Sequence, residues 1–139
     1  MKENNKKKNL ILLLLVLTTL LFSCGTPSLP EGFDSTEVEN RTKQIIEVIN
    51  TKEYDQIHSL IREDLQPVIT PKQLEEGWAP MLDSAGDFVE IDEIVLSSER
   101  GEKDVVYAVA ILKCIYENEN HIFTFYFDED MELAGLYMK

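Results

Sequence analysis

The pattern of apolar positions divides the chain into an apolar leader, a helical part and a strand part. Residues 10–22 are almost uniformly apolar. After residue 34, apolar residues recur at helical spacing, as Val38 and Ile45 do. From Phe88 onward the spacing changes to two, which is the period of a β-strand. The chain is therefore expected to fold as helices followed by a sheet, behind a separate N-terminal segment.

Three helices are predicted in the first part of the domain. The first can begin at Asp34 or at Thr36, because either side chain can accept from a backbone amide of the first turn. The second is expected to continue to Leu65. The third begins at Thr70, with Pro71 at a position that needs no backbone donor. The residues expected to face inward from the first and third helices are Val38, Thr42, Ile45, Ile46, Ile49, Leu74, Trp78, Met81 and Leu82.

Four antiparallel strands are predicted after the helices. They occupy residues 88–98, 104–117, 121–127 and 131–139. The apolar parity changes across Asp92 and Glu93, which predicts a β-bulge or a strong bend there. The second strand is apolar on both faces and is expected to be central. The predicted fold is therefore α+β, with three helices packed on a curved four-stranded meander that forms a cone.

The N-terminal segment has the features of a secretion signal. Lysines precede an apolar run that would span roughly 20 Å as a helix, short of the ~30 Å core of a bilayer. The run ends in LLFSC, which resembles the bacterial lipobox, in which a cysteine receives a diacylglyceryl group and becomes the mature N-terminus. Residues 1–23 are therefore predicted to be a lipoprotein signal peptide, and Cys24 the lipidation site. A short uncleaved anchor is the alternative.

The chain that follows the predicted signal peptide is strongly acidic. Residues 24–34, rich in Gly and Pro, are predicted to be a flexible tether to a domain at residues 35–139. The net charge is −13, and four leader lysines with Glu3 contribute +3, which leaves −16 for the remainder. So acidic a chain is a poor partner for nucleic acid or anionic lipid. We therefore expect membrane residence through palmitate-type acyl chains, on the extracytoplasmic face of a Gram-positive envelope.

The residues that could bind a metal or a cofactor do not have ligand spacing. Cys114 lies among apolar neighbours and is expected to be a buried thiol without a disulfide partner. His58 is expected at the edge of a helix, paired with a carboxylate, and His121 is expected to be exposed at a strand start. The acidic turn at residues 128–132 lacks the pattern of a calcium loop. No metal and no cofactor is predicted.

Several segments together carry a family resemblance. These are the first-helix face that ends at Asn50 before Tyr54, the Trp78 segment, the Gly-Asp-Phe sequence at residues 86–88 and the strand at residues 104–117. They resemble the uncharacterised domain family DUF3887, of the nuclear-transport-factor-2-like superfamily. The resemblance implies a cystatin-like cone, which often leaves a pocket between sheet and helices, and a sheet face that can dimerise.

Five residues are candidates for a pocket. Ketosteroid-isomerase-like relatives in the superfamily use an Asp base with Tyr donors, and the resemblance offers Asp92 or Glu93 with Tyr107 and Tyr126 for those roles. The competing interpretation is that the two acids face solvent and the tyrosines are packed rings. Trp78 can form the floor of a pocket or be part of the core. No catalytic motif is readable, so no catalytic residue is assigned.

Three functions remain open. The first is a noncatalytic binding module that takes a small apolar ligand or an envelope protein. The second is a structural unit that forms a homodimer through its sheet. The third is a small isomerase or hydrolase-like enzyme, which is the least favoured of the three.

Overall fold

The structure is a computed structural model that describes residues 28–139. The predictions for the signal peptide and for Cys24 therefore lie outside the described residues. The helices are α1 Ser35–Asn50, α2 Tyr54–Ser59 and α3 Pro71–Ala85. The strands are β1 Phe88–Arg100, β2 Val106–Tyr116, β3 Asn120–Phe127 and β4 Leu133–Met138, with a short 3₁₀ turn at Glu102–Asp104 between β1 and β2.

The fold is α+β, as predicted from the change in hydrophobic period. The four strands form one antiparallel sheet in the order β1-β2-β3-β4, so each strand pairs with its neighbour in the chain. Strand β2 lies inside the sheet, which confirms its predicted central position. Because consecutive strands are also spatial neighbours, short turns are sufficient to connect the whole sheet.

Helix α1 forms as its sequence predicts. The Asp34 carboxylate accepts a hydrogen bond from the backbone N–H of Glu37 at 2.9 Å, so Asp34 is the N-cap. This bond satisfies one of the donors that the first turn leaves without a helical partner. The five residues predicted to face inward are all buried: Val38, Thr42, Ile45, Ile46 and Ile49.

Helix α2 is shorter than predicted. It ends at Ser59, and the expected continuation to Leu65 is wrong. The chain leaves the helix because its backbone pairs with β4: Ile61 forms a parallel bridge with Leu133, and the Arg62 N–H donates to the Leu133 carbonyl at 2.9 Å. This long-range pairing replaces the local helical hydrogen bonds, and the apolar spacing alone did not predict it.

Helix α3 begins at the predicted capping box. The Thr70 hydroxyl accepts from the Gln73 backbone N–H, and the Gln73 side chain accepts from the Thr70 N–H. The helix includes Pro80 and ends before Gly86, which has a φ of +80°. Of the side chains predicted to face inward, two are buried and two are half-buried: Leu74 and Leu82, then Trp78 and Met81.

Strand β1 has the irregularity that its apolar parity predicts. Its pairing with β2 shifts register between Ile91 and Glu93, and again between Phe88 and Glu90. The first shift confirms the bulge predicted at Asp92 and Glu93. Because one extra residue is inserted, Ile91 and Ile94 can both lie on the helix side of the sheet, opposite buried residues of β2.

The core lies between the helices and one face of the sheet, which we call the inner face. Phe123, Phe125 and Phe127 on β3 are fully buried there. Burial of each ring contributes about 1.5–3 kcal/mol relative to exposure. Leu29 and Phe33, within the segment predicted as a tether, also pack against this core. In residues 28–139 no helix combines the length and apolar character needed to cross a membrane.

Candidate functional site

The outer face of the sheet is not covered by any helix of residues 28–139, and it carries the most distinctive surface of the domain. The helices pack on the inner face, which leaves the alternate side chains of each strand on the outer face. Two neighbouring cross-strand rows cross its centre. One row is Val95, Ile111, Thr124 and Tyr137, and the next is Ser97, Val109, Tyr126 and Gly135. We call these eight residues the central band.

The central band contains no charged side chain, although residues 28–139 carry a net charge of −16. Ile111 is 37% exposed and Tyr137 is 63% exposed. Charged groups border the band: Glu93, Lys113 and Lys139 at one end, and Glu99 at the other. An uncharged, partly apolar surface of this kind on so acidic a domain is typical of a surface that binds another molecule.

Two of the five predicted pocket residues come together at the Glu99 end of this face. Tyr107 and Tyr126 line one depression of about 220 Å³ together with Glu99, and Tyr137 lies on its far side. The Tyr126 hydroxyl donates to the Glu99 carboxylate at 3.0 Å. Burial of the ring and this hydrogen bond raise the pKa of Tyr126, in that order of importance, so the phenol keeps its proton.

The two predicted acids lie elsewhere. Asp92 and Glu93 occupy the bulge in β1 and are exposed. The Asp92 carboxylate accepts from the Lys113 ammonium at 2.6 Å, and this bond raises the pKa of Lys113. Neither acid lines the depression that contains Tyr107 and Tyr126. The acid–tyrosine arrangement offered for an isomerase is therefore not assembled in the described structure.

Trp78 lies on the opposite side of the sheet from the tyrosines. It projects from α3 and meets the Phe123 ring edge-to-face, with the ring centres 6.1 Å apart. Its other side borders a shallow depression of about 260 Å³ next to Val68 and Ile69. Trp78 therefore belongs to the boundary of the core, and the five predicted residues do not form one site.

Glu99 and Tyr137 were not among the site residues predicted from the sequence. Glu99 lies just before the turn into β2, and it pairs with Tyr107 across the first two strands. Tyr137 shares the outer face with Tyr126 through the pairing of β3 and β4. Strand parity could have placed both residues on this face, but only the register between strands shows that they reach the same depression.

A larger cleft of about 800 Å³ opens between α1, the segment after α2 and the β3–β4 turn. Arg62 in its wall forms ion pairs with Asp64 at 2.7 Å and with Asp128 at 3.0 Å, and these carboxylates raise the pKa of Arg62. Asp128 also accepts the backbone N–H groups of Asp130 and Glu132. These polar groups bond to one another and to the backbone of the β3–β4 turn. We therefore interpret them as groups that stabilise this turn.

A buried polar cluster lies under the sheet. His121, expected to be exposed, is buried with 4% exposure because it faces the helices beside Tyr116. The Tyr116 hydroxyl donates to the Asn50 side chain at 2.8 Å. Cys114 is fully buried, as predicted, and burial raises the pKa of its thiol to about 12. This thiol is held protonated, which disfavours a nucleophilic role.

His58 is also placed differently from its expected pairing with a carboxylate. Its Nε2 lies 3.0 Å from the Gln66 carbonyl, so the ring holds the segment that follows α2. Within residues 28–139, no group of three or more His, Cys, Asp or Glu side chains is arranged to hold a metal ion.

Comparisons with known proteins identify a family without assigning an activity. A family model described as "Protein of unknown function (DUF3887)" matches residues 42–136. The chain is also similar to a protein from Ruminococcus gnavus ATCC 29149 whose structure was determined by NMR, with 27% identity and a TM-score of 0.72. That match covers 81% of this chain and 97% of the other. No curated protein matches the sequence.

Proposed function

Since the chain belongs to the DUF3887 family of proteins of unknown function, we propose its role from the site: a noncatalytic binding module, anchored outside the cell membrane, that pairs with a second copy of itself. The surface used for pairing is the central band. The observation that carries the proposal is that this band is uncharged and uncovered on a domain whose net charge is −16.

The choice of a second copy follows from charge. A two-fold dimer brings the same patch of both copies together, so any net charge on that patch opposes itself. Most of this domain's surface is acidic and would repel a second copy. The central band avoids that repulsion, and its exposed Ile111 and Tyr137 supply apolar area for two copies to bury.

The finer fold assignment is part of the same proposal. Helices that fill the inner face of a curved antiparallel meander fit the nuclear-transport-factor-2-like cone. The three phenylalanines of β3 are fully buried between the sheet and the helices. For this reason the proposal does not place a small apolar ligand between sheet and helices.

The enzyme alternative has no specific observation in its favour. Asp92 is paired with Lys113 in an exposed position, whereas Tyr107 and Tyr126 lie in a different depression. An exposed carboxylate that is already paired with an ammonium group lacks the desolvation that tunes a general base. Binding is therefore the simpler role for this surface.

The anchor supports the same role. The leader has a lysine-rich start and an apolar run that ends in LLFSC. This pattern favours lipidation at Cys24. Leu29 and Phe33 pack against the core, and residues 25–28 separate Cys24 from the first of them. At about 3.3–3.6 Å per extended residue, the domain would be held within roughly 20 Å of the lipidated sulfur. Confinement of this kind raises the effective concentration of one copy near another.

Sedimentation of residues 28–139 tests the pairing, since these residues contain the complete core described above. We expect a concentration-dependent dimer that is lost in Ile111→Lys, because the substitution places a charge at the centre of the band. The matched control is Val68→Lys, at a residue 67% exposed on the helical side, and this variant should still dimerise. A wild-type monomer at all concentrations would refute the pairing.

A further inference from the structure

The depression at the Glu99 end of the outer face has the chemistry of a cation site. Its volume is about 220 Å³, below the roughly 300–1,000 Å³ of pockets for drug-sized ligands. Such a volume fits one small polar group of a ligand better than a complete drug-sized molecule. The lining residues are Glu99, Tyr107, Tyr126, Ala134, Gly135 and Tyr137.

Glu99 supplies the negative charge. Its carboxylate accepts one hydrogen bond, from the Tyr126 hydroxyl, and within residues 28–139 no basic side chain forms an ion pair with it. The neighbouring Arg100 is turned toward Asp104, with which it forms an ion pair at 3.2 Å. The carboxylate therefore keeps acceptor capacity for a cation that arrives from solution.

Three tyrosine rings line the same depression as that carboxylate. Tyr126 and Tyr137 meet edge-to-face, with ring centres 5.7 Å apart and planes at 81°. Two rings at an angle form a corner, and Tyr107 lies on the β2 side of it. The electron-rich faces of tyrosine rings attract cations, and ammonium groups bound by aromatic rings are a recognised mode of binding.

Two of these rings, Tyr126 and Tyr107, pack closely against glycines. A side chain at Gly135 would place its Cβ 3.3 Å from the Tyr126 ring, and one at Gly101 would place it 2.8 Å from the Tyr107 ring. Both rings therefore lie close against glycine backbone. This close approach restricts the rings before a ligand binds, which lowers the entropy lost on binding.

We propose that this pocket binds the ammonium group of a small organic cation. The carboxylate of Glu99 provides the countercharge, and the tyrosine rings and hydroxyls surround the ammonium group. The net charge of −16 concentrates cations near the whole domain and assists capture at low ionic strength. The pocket is formed by one chain, so it exists in the monomer. Because Tyr126, Gly135 and Tyr137 belong to both the pocket and the central band, pairing through the band would compete with binding of the cation.

The test is a titration of residues 28–139 with small molecules at low ionic strength. Binding is monitored by calorimetry and by NMR shifts of tyrosine ring protons. The probes are choline, ethanolamine and 3,3-dimethylbutanol, which has the shape of choline without its charge. We expect saturable binding of at least one ammonium compound and no saturable binding of the neutral alcohol. Preference for choline would assign the main contribution to the rings, and preference for ethanolamine would assign it to hydrogen bonds.

Two carboxylate variants locate the site. Glu99→Gln keeps an acceptor for the Tyr126 hydroxyl and removes the charge, and it should weaken ammonium binding at least about fivefold. Glu93→Gln makes the same charge change on the same strand, outside the pocket, and should leave the affinity within about twofold. Thermal unfolding of both variants checks that each is folded.

The outcomes separate this inference from the pairing. Binding that persists in the Ile111→Lys monomer supports the cation site whether or not the wild type dimerises. Equal affinities for choline and the neutral alcohol would overturn the inference, as would equal weakening by Glu99→Gln and Glu93→Gln. Absence of saturable binding by either ammonium compound would overturn it too.

Discussion

Tyr126 on β3 donates a hydrogen bond to Glu99 on β1 at 3.0 Å, across the intervening strand β2. The two residues are not sheet neighbours, so this bond joins side chains that no backbone pairing connects. It gives the outer face a defined polar corner beside the uncharged central band. At this corner the central band meets the depression that we propose as a cation site.

The ionisation of Tyr126 should report on this bond. Burial and the Glu99 carboxylate both raise the pKa of Tyr126 above its ordinary value of 10.0. In Glu99→Gln the pKa should fall, but it should stay above 10.0 because burial, the larger cause, remains. NMR titration of the tyrosine ring carbons measures this shift. A pKa of Tyr126 that is the same in both proteins would show that the bond does not form.

Two glycine substitutions should have opposite effects on stability. Gly86 has a φ of +80°, and an added Cβ would lie 2.8 Å from a Glu117 carboxylate oxygen, so Gly86→Ala should destabilise the domain by at least about 1 kcal/mol. Gly77 lies inside α3 with open space around it, and Gly77→Ala should stabilise by up to about 1 kcal/mol. Urea unfolding, monitored by Trp78 fluorescence, measures the free energy of unfolding of both variants. The same sign for both variants would contradict the described backbone.

Alkaline pH should weaken the fold through Cys114. The folded-state pKa of this thiol is about 12, raised by burial from an ordinary value of 9.0, so the folded chain binds the proton more tightly. Its contribution to stability is fully present below pH 9 and is lost as the pH rises toward 12. Between pH 8 and pH 10 the free energy of unfolding should fall by about 1 kcal/mol through this group.

Cys114→Ala provides the control for that pH dependence. The variant should be less stable at pH 8, because a buried side chain has been shortened. Its stability should then fall less steeply with pH than that of the wild type. Identical pH slopes in the two proteins would exclude Cys114 as the cause. Burial also raises the pKa of Tyr116, so some loss near and above pH 10 should remain in both proteins.

Removing a single ring from the core should cost far more than any surface change. Phe123→Ala should destabilise the domain by about 3–5 kcal/mol, because the ring is fully buried between the helices and the sheet. Trp78→Phe should cost less, since Trp78 is only half-buried and a phenylalanine can keep the edge-to-face contact with Phe123. Circular dichroism during urea unfolding ranks the two variants. A larger loss for Trp78→Phe would contradict the described packing.

Structural features that depend on residues a few positions apart were predicted from the sequence. Asp34 and Thr70 cap helices by bonds to residues three positions away, and both caps are present. The parity change in β1 predicted its bulge, and the shift in register between Ile91 and Glu93 is present. In each case the required information lies within a few neighbouring residues.

Features that depend on distant residues were not predicted. Helix α2 ends early because Ile61 and Arg62 pair with Leu133, more than seventy positions away. His121 is a different case: it has the same strand parity as the buried Phe123, so its burial could have been predicted locally, but the nearby turn suggested exposure. The depression of Glu99 and Tyr126 depends on the register of three strands, which single-strand periodicity does not contain.

Membrane anchoring through Cys24 is the central claim, and acyl labelling of the full-length chain in growing bacteria tests it most directly. The two cysteines provide matched variants, Cys24→Ala and Cys114→Ala. Labelled palmitate should enter the wild type and Cys114→Ala, and both should stay in the membrane fraction after a high-salt wash. Cys24→Ala should take up no label and should lose that membrane association. Equal labelling of all three proteins, or a Cys24→Ala chain held as firmly as the wild type, would contradict the account.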